Sequence, residues 1–187
     1  KDHYTLCVST QAGCAQGCRF CLTAAGGFER NLSRGEIVAQ ARDIKKDLGD
    51  QKRLTNIVFM GMGEPLANYK NLLSAIGILT DNDAGLRVAS RRVTVSTAGL
   101  VPKITALGRD TRVNLAVSLN ATDNETRNRL MPINRKYPLE KLMEACRQYL
   151  PAPGRRITFE YILIKGINDS VDDAQRLAKL LRPIRCK

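Results

Sequence analysis

The chain contains no Trp and a single His, and its aromatic residues are limited to five Tyr and four Phe. A broad platform on which single-stranded bases could stack is therefore poorly supplied. No apolar run approaches the roughly 18 residues of a membrane span, and Lys1-Asp2-His3-Tyr4 lacks the pattern of a signal peptide. Acid is scarce too, with 18 Asp and Glu against 30 Lys and Arg and a formal charge of +12. Such a balance favours a polyanionic partner, nucleic acid first, although a basic solvated surface would produce the same count. Six cysteines, three of them in one tight cluster, do not resemble a secreted disulfide framework, which spreads them along a short chain. With 187 residues, one domain is the default. The chain does not open with Met and reads as a segment of a longer protein.

What is present is most specific at Cys14-Ala-Gln-Gly-Cys18-Arg-Phe-Cys21, a C-x3-C-x2-C spacing directly after a strand-like segment. A cubane iron–sulfur cluster normally takes four thiolates, one on each iron. Three leave one iron open, and an open position is where a substrate or cosubstrate binds. A structural zinc site would want a fourth Cys or His, and none lies between Cys21 and Cys146. His3 or Cys7 could serve, so zinc stays open on residues alone, but the spacing favours a [4Fe–4S] cluster held by Cys14, Cys18 and Cys21. Thiolate-held iron needs a reducing compartment, which points to the cytoplasm.

Five apolar, β-branched runs read as buried strands: Thr5–Ser9, Asn56–Met60, Arg92–Ser96, Asn114–Ser118 and Ile157–Ile164. Helical patterns alternate with them. Ile37, Val38, Ala41, Ile44 and Leu48 share a face, opened by a Ser33/Glu36 capping box. Further helices are predicted around Leu72–Leu79, Val101–Leu107, Leu139–Leu150 and Val171–Leu181, with Pro151-Ala-Pro-Gly154 as a stop and turn. Alternation of this kind predicts an α/β chain, a parallel sheet with right-handed crossovers and no internal repeat. Each strand is followed by glycine-rich or polar residues: Gly13 with the cysteines, Gly61-Met-Gly-Glu-Pro65, Ser96-Thr-Ala-Gly99, Ser118-Leu-Asn120 and Lys165-Gly-Ile-Asn168. In parallel sheets chemistry gathers at these C-terminal strand ends, so the five are expected to converge on one mouth.

The cysteine spacing, with Phe20 before its last member, resembles the radical S-adenosylmethionine (SAM) superfamily. That resemblance implies a partial parallel (β/α) barrel, a [4Fe–4S] cluster and SAM bound to the open iron. It also assigns SAM contacts to Gly63 and Glu64 of Gly61-Met-Gly-Glu-Pro65, to Ser96, and to Ser118, Leu119 and Asn120. The glycines would let the backbone approach, Glu64 would accept from the SAM ammonium, the hydroxyls would meet carboxylate or ribose, and Asn120 would meet adenine or ribose. Taken singly, each of these is a turn or cap residue.

Further blocks narrow the likeness. Cys7-Val-Ser-Thr-Gln-Ala-Gly-Cys14, Gly27-Phe-Glu-Arg-Asn-Leu32, Arg91-Arg-Val-Thr-Val-Ser-Thr-Ala-Gly99 and Met131-Pro-Ile-Asn134 resemble the RNA adenine-C2 methyltransferases of RlmN type and the related C8-acting Cfr type. The resemblance implies methylation of adenine C2 in 23S rRNA, and of tRNA, with a reductant protein such as flavodoxin or ferredoxin. Adenine C2 is not nucleophilic, and in this family one SAM methylates a cysteine near the C-terminus. A second SAM yields the radical that activates that methyl group, and another cysteine, matched by Cys7, resolves the protein–RNA adduct by forming a disulfide. The methyl-carrying cysteine, a general-base Glu and a small N-terminal RNA-binding domain of the family fall outside this chain. Residues 1–187 therefore read as the catalytic core, ending where a sixth strand should start. C8 chemistry, another radical-SAM reaction, an iron–sulfur electron carrier and a zinc-stabilised RNA-binding module are the competing readings. Arg91, Arg92, Arg127, Arg129, Arg135 and Lys136 form the expected phosphate-facing patch.

Overall fold

A computed structural model describes residues 3–49, 52–149 and 156–187. Five strands form one parallel sheet: β1 (His3–Cys7), β4 (Arg53–Phe59), β5 (Val93–Thr97), β6 (Asn114–Ser118) and β7 (Thr158–Glu160), side by side in that order. Neighbours in sequence are neighbours in the sheet, and helices make the returns. These are α2 (Arg34–Leu48), α3 (Tyr69–Thr80), α4 (Val101–Asp110) and, between β6 and β7, α5 (Asn124–Leu130) and α6 (Leu139–Gln148), with α7 (Val171–Leu181) last. The result is the expected partial (β/α) barrel.

The period-2 alternation of the strands separates two environments. Ile57, Phe59, Val93, Val95, Leu115 and Val117 point one way into a core with Leu72, Ile76 and Leu79 of α3, Ile104 and Leu107 of α4 and Leu142 of α6. The opposite, concave face carries Thr94, Ser96, Asn114, Ser118 and Glu160. At α2 the expected capping box is present, with the Glu36 N–H donating to Ser33 Oγ and the Glu36 carboxylate accepting from the Ser33 N–H. Of its apolar face only Ile37 and Ala41 are buried, and Ile44 is exposed. In α7 Val171 is likewise exposed, and Asp173, the partner of Ser170 in a second capping box, is the buried residue. Leu150 and the Pro151–Gly154 turn lie outside the described residues.

Three differences from the sequence reading matter for the site. A two-stranded antiparallel ribbon, β2 (Gln11–Gly13) with β3 (Phe28–Asn31), brackets the cysteine run together with a short helix α1 (Leu22–Ala25). The fifth parallel strand stops at Glu160 and not at Ile164, because Asn168 takes over the backbone there. Its side chain accepts from the Ile164 N–H at 2.7 Å and donates to the Ile162 and Asn120 carbonyls. Beyond the five strands, an isolated parallel bridge joins Ile157 to Cys186. Ile157 N–H donates to Arg185 O, Phe159 N–H to Lys187 O and Lys187 N–H to Ile157 O, in parallel register.

Candidate active site

One cavity of about 260 Å³ opens at the C-terminal ends of the parallel strands. Its wall includes all three predicted cluster cysteines, Cys14, Cys18 and Cys21, with Gly63 and Glu64 after β4, Ser96 in β5, Ser118 in β6 and Glu160 in β7. Residues scattered over nearly 150 positions of sequence thus meet at one mouth, as parallel topology requires. Glu160 had not been singled out. Its carboxylate accepts from Ser96 Oγ at 3.0 Å and from Ser118 Oγ at 2.9 Å, joining three adjacent strand ends. A lone carboxylate inside the β-branched run Ile157–Ile164 was the signal for it.

The cysteine loop is pinned from both sides. Cys14 N–H donates to Gly27 O at 2.8 Å and Arg19 N–H to Leu130 O at 2.9 Å. Gly13, with φ +76°, has no room for a side chain, since a Cβ there would sit 2.0 Å from Gly27 O. Burial pushes the Cys18 thiol up to about 11, with Cys14 and Cys21 adding to the shift. Cys14 moves in the same direction for the same first reason. Thiols raised by burial make poor free nucleophiles, which suits them better to a metal cluster. Among the described residues no three His, Cys, Asp or Glu side chains converge on a single-ion centre. Three thiols around a cavity, with no His in its wall, form a donor set that fits iron–sulfur better than zinc.

The loop after β4 owes its glycines to a neighbouring segment. A Cβ on Gly61 would lie 2.6 Å from Ser9 Oγ, and one on Gly63 would lie 2.5 Å from Gln11 Cβ. Thr10 and Gln11 N–H groups both donate to Met62 O, and the Glu64 N–H donates to Gln11 Oε1. Close packing against residues 9–11 therefore accounts for both glycines. The carboxylate of Glu64 is buried and accepts from the Leu66 N–H at 3.0 Å and the Ala98 N–H at 2.7 Å. Burial raises its pKa.

Leu119 and Asn120 lie outside the cavity wall. Leu119 is a core residue. Asn120, at a left-handed φ of 55°, accepts from the Ile162 N–H at 2.9 Å and directs its amide toward Met131 Sδ. Cys7 is exposed and also outside that wall. Strand register puts it on the concave face in a row with Val58, Thr94 and Asn114, one layer from the row of Ser96 and Ala116. Same-face layers are roughly 6.6 Å apart. Cys146 is core, and burial pushes its thiol up to about 12.

The expected basic patch needs one correction. Arg127 is fully buried, and its guanidinium is spent on protein acceptors: the Leu119, Ala98 and Ser118 carbonyls and Asn134 Oδ1. It has no part in a phosphate-facing surface. At the other end of the sheet, where β4 begins, a 730 Å³ furrow is lined among the described residues by the cations Arg42, Lys45, Lys46, Lys52, Arg53 and Arg87. No helix of the described residues is long and apolar enough to cross a membrane.

Comparison with known proteins agrees with this geometry. The model of the Radical SAM superfamily matches residues 8–181. The dual-specificity RNA methyltransferase RlmN of Desulfosudis oleivorans is 60% identical over 187 residues, all of this chain and 50% of its own length. RlmN of Syntrophobacter fumaroxidans is 58% identical over 183 residues, 98% of this chain and 53% of its own. The chain thus spans about half the length of these curated relatives. Among solved structures, a radical SAM methyltransferase from Sphaerobacter thermophilus superposes with a TM-score of 0.90 at 49% identity, covering 97% of this chain and 54% of that one. HydG, a maturase of the [FeFe]-hydrogenase, shares the fold with a TM-score of 0.65 at 15% identity, covering 96% of this chain and 39% of its own. The partial barrel, the three thiols at its mouth and the family match over residues 8–181 agree: the chain belongs to the radical SAM superfamily.

Proposed function

We propose that this chain is the catalytic core of a radical-SAM RNA methyltransferase that modifies adenine C2 in 23S rRNA and tRNA through a methyl-cysteine intermediate. The observation that carries the reading is the meeting of Cys14, Cys18, Cys21, Glu64, Ser96, Ser118 and Glu160 around one cavity. Its extension to RNA rests on the 60% and 58% identity to proteins named as dual-specificity RNA methyltransferases. Cys14, Cys18 and Cys21 would hold the [4Fe–4S] cluster, which when bound supplies one electron to SAM.

The chain's own residues divide the remaining work. Ser96 and Ser118 hydroxyls, oriented by the Glu160 carboxylate, present polar groups to SAM at the mouth. Glu64 shapes the SAM loop through its two backbone hydrogen bonds, and Gly63 keeps that loop close to Gln11. Leu119 and Asn120 act through the backbone of the strand end they stabilise. Cys7, exposed on the concave face, suits a thiol that must reach a covalent adduct and close a disulfide. A small reductant protein such as flavodoxin or ferredoxin, and a cytoplasmic setting, follow from the same reading.

Anaerobic reconstitution of the intact protein, followed by dithionite, SAM and ribosomal or transfer RNA, tests it. Expected are 5′-deoxyadenosine and 2-methyladenosine by mass spectrometry. Product at C8, or SAM turnover without any methylated RNA, would send the assignment to another branch of the superfamily.

A further inference from the structure

Arg127 is a buried cation next to the cysteine cavity whose charge the proposed chemistry does not use. Its side chain is 0% exposed, yet among the described residues it makes no ion pair. Its four hydrogen bonds go to neutral acceptors, the carbonyls of Leu119 at 2.9 Å, Ala98 at 2.7 Å and Ser118 at 3.0 Å, and Asn134 Oδ1 at 3.0 Å. Burial drags the guanidinium down to about 10. A buried, hydrogen-bonded but uncompensated cation is costly unless a negative charge stands close by. Cys146 is a core thiol that burial keeps protonated. Two of the acceptors of Arg127, Ala98 and Ser118, line the cavity that holds Cys14, Cys18 and Cys21, so the guanidinium stands directly behind that wall.

Helix α5 explains how the cation gets there. Arg127 sits one turn into Asn124–Leu130, and the Asp123 cap and the Asn134 side chain fix that turn. From it the guanidinium reaches back across the ends of β5 and β6. The Arg19 N–H bond to Leu130 O ties the same helix to the cysteine loop. One short helix therefore positions both the cation and the loop that carries Cys18.

We propose that Arg127 is the resident countercharge of the cluster site, a positioning residue that stabilises the reduced cluster and sets its reduction potential. The proposal rests on the cluster reading above. Reduction adds one electron and neither makes nor breaks a bond. A fixed positive charge in a dry site lowers the energy of the reduced form, so the potential rises with the cation and falls without it.

The test is an EPR-monitored redox titration of the intact protein reconstituted with iron and sulfide. Arg127→Gln removes the charge along with the guanidinium's hydrogen bonds. Asn134→Asp leaves the arginine in place and sets a carboxylate against it, so a variant that folds well can report the same electrostatics. Arg129→Gln, exposed on the same helix, is the control. Expected is a loss of at least tenfold in the one-electron reduction equilibrium, about 59 mV, for Arg127→Gln and for Asn134→Asp, with no change for Arg129→Gln. A purely structural arginine would leave the potential of Asn134→Asp, at native iron content, where the parent has it, and that result overturns the proposal even if Arg127→Gln fails to fold. A parent protein that takes up no iron overturns the cluster reading and this inference together.

Discussion

Glu64 and Arg127 hold Ala98 from both ends: its N–H donates to the Glu64 carboxylate at 2.7 Å and its carbonyl accepts from the Arg127 guanidinium at 2.7 Å. A buried acid and a buried base thus meet through one residue at the end of β5, and neither touches the other. Beside the SAM ammonium contact that the family resemblance implies for it, Glu64 thus has a structural task. Glu64→Ala leaves the Leu66 and Ala98 N–H groups buried without an acceptor. At about 1–3 kcal/mol for each, the loss is about 2–6 kcal/mol. Thermal unfolding should show the drop together with reduced iron uptake, and Glu64→Gln, which keeps one acceptor oxygen, should fall between. Equal melting temperatures for parent and Glu64→Ala would mean that these two bonds carry no stability.

Iron content should separate the three cluster cysteines from Cys146. Ala at Cys14, Cys18 or Cys21 should each abolish cluster uptake after anaerobic reconstitution. Cys146→Ala should keep its iron and lose stability instead, on the order of 1 kcal/mol for a small cavity in the core. An iron-free Cys146→Ala protein of native fold would put the metal site in the wrong place.

Thiol labelling addresses Cys7. Exposed on the concave face, it should react with iodoacetamide in the native protein while buried Cys146, held protonated, stays unmodified until denaturant is added. In the intact protein Cys7→Ala should retain iron and SAM cleavage and lose release of methylated RNA. Full methylation by that variant would remove Cys7 from the chemistry.

Acid should loosen the helix starts. The Arg30 side chain, then the Ser33 N–H and hydroxyl, hold Glu36 down to about 2, and the Ser170 hydroxyl, followed by Arg176, lowers Asp173. A depressed carboxyl contributes stability that is full above its unfolded value, near pH 4, and is lost as pH falls through the folded one. Denaturant midpoints should therefore decline from pH 5 toward pH 2. Glu36→Gln and Asp173→Asn should each flatten that decline, and identical acid profiles for all three proteins would show that the caps contribute nothing to it.

RNA binding should depend on the furrow where β4 begins. Reversing Lys45 and Arg87 to Glu removes two candidate phosphate contacts, so the log–log salt slope should become shallower by about 2 units. An unchanged slope would confine RNA to other surfaces.

The sequence made the mouth legible because strand ends in a parallel sheet must share one side. Knowing that Cys14, Glu64, Ser96 and Ser118 each follow or end a strand was enough to bring them together. It did not reveal how those groups are used. Arg127 lies in Asn-Glu-Thr-Arg-Asn-Arg-Leu, which reads as a solvated helix. The carbonyls of Ala98, Ser118 and Leu119 and the amide oxygen of Asn134 turn it inward. The β2–β3 ribbon escaped notice for the opposite reason: Gln11–Gly13 and Phe28–Asn31 are short and largely polar, and β3 is exposed along its length, so no hydrophobic alternation marks them. The apolar run of the fifth strand continues past Glu160, but the strand itself ends there, where the Asn168 side chain claims the backbone.

That ribbon has a consequence for the order in which the molecule is assembled. Its register pairs Gln11 with Asn31 and Gly13 with Phe28, and the Cys14 to Gly27 hydrogen bond closes the segment between them into a ring. The entropy of closing a loop grows only slowly with its length, and here bonds within the polypeptide meet that cost. Cys14, Cys18 and Cys21 are thus confined to a small volume by protein atoms alone. A zinc finger, by contrast, folds only when its ion arrives. A cluster held by these cysteines would enter a purse whose drawstring the backbone holds.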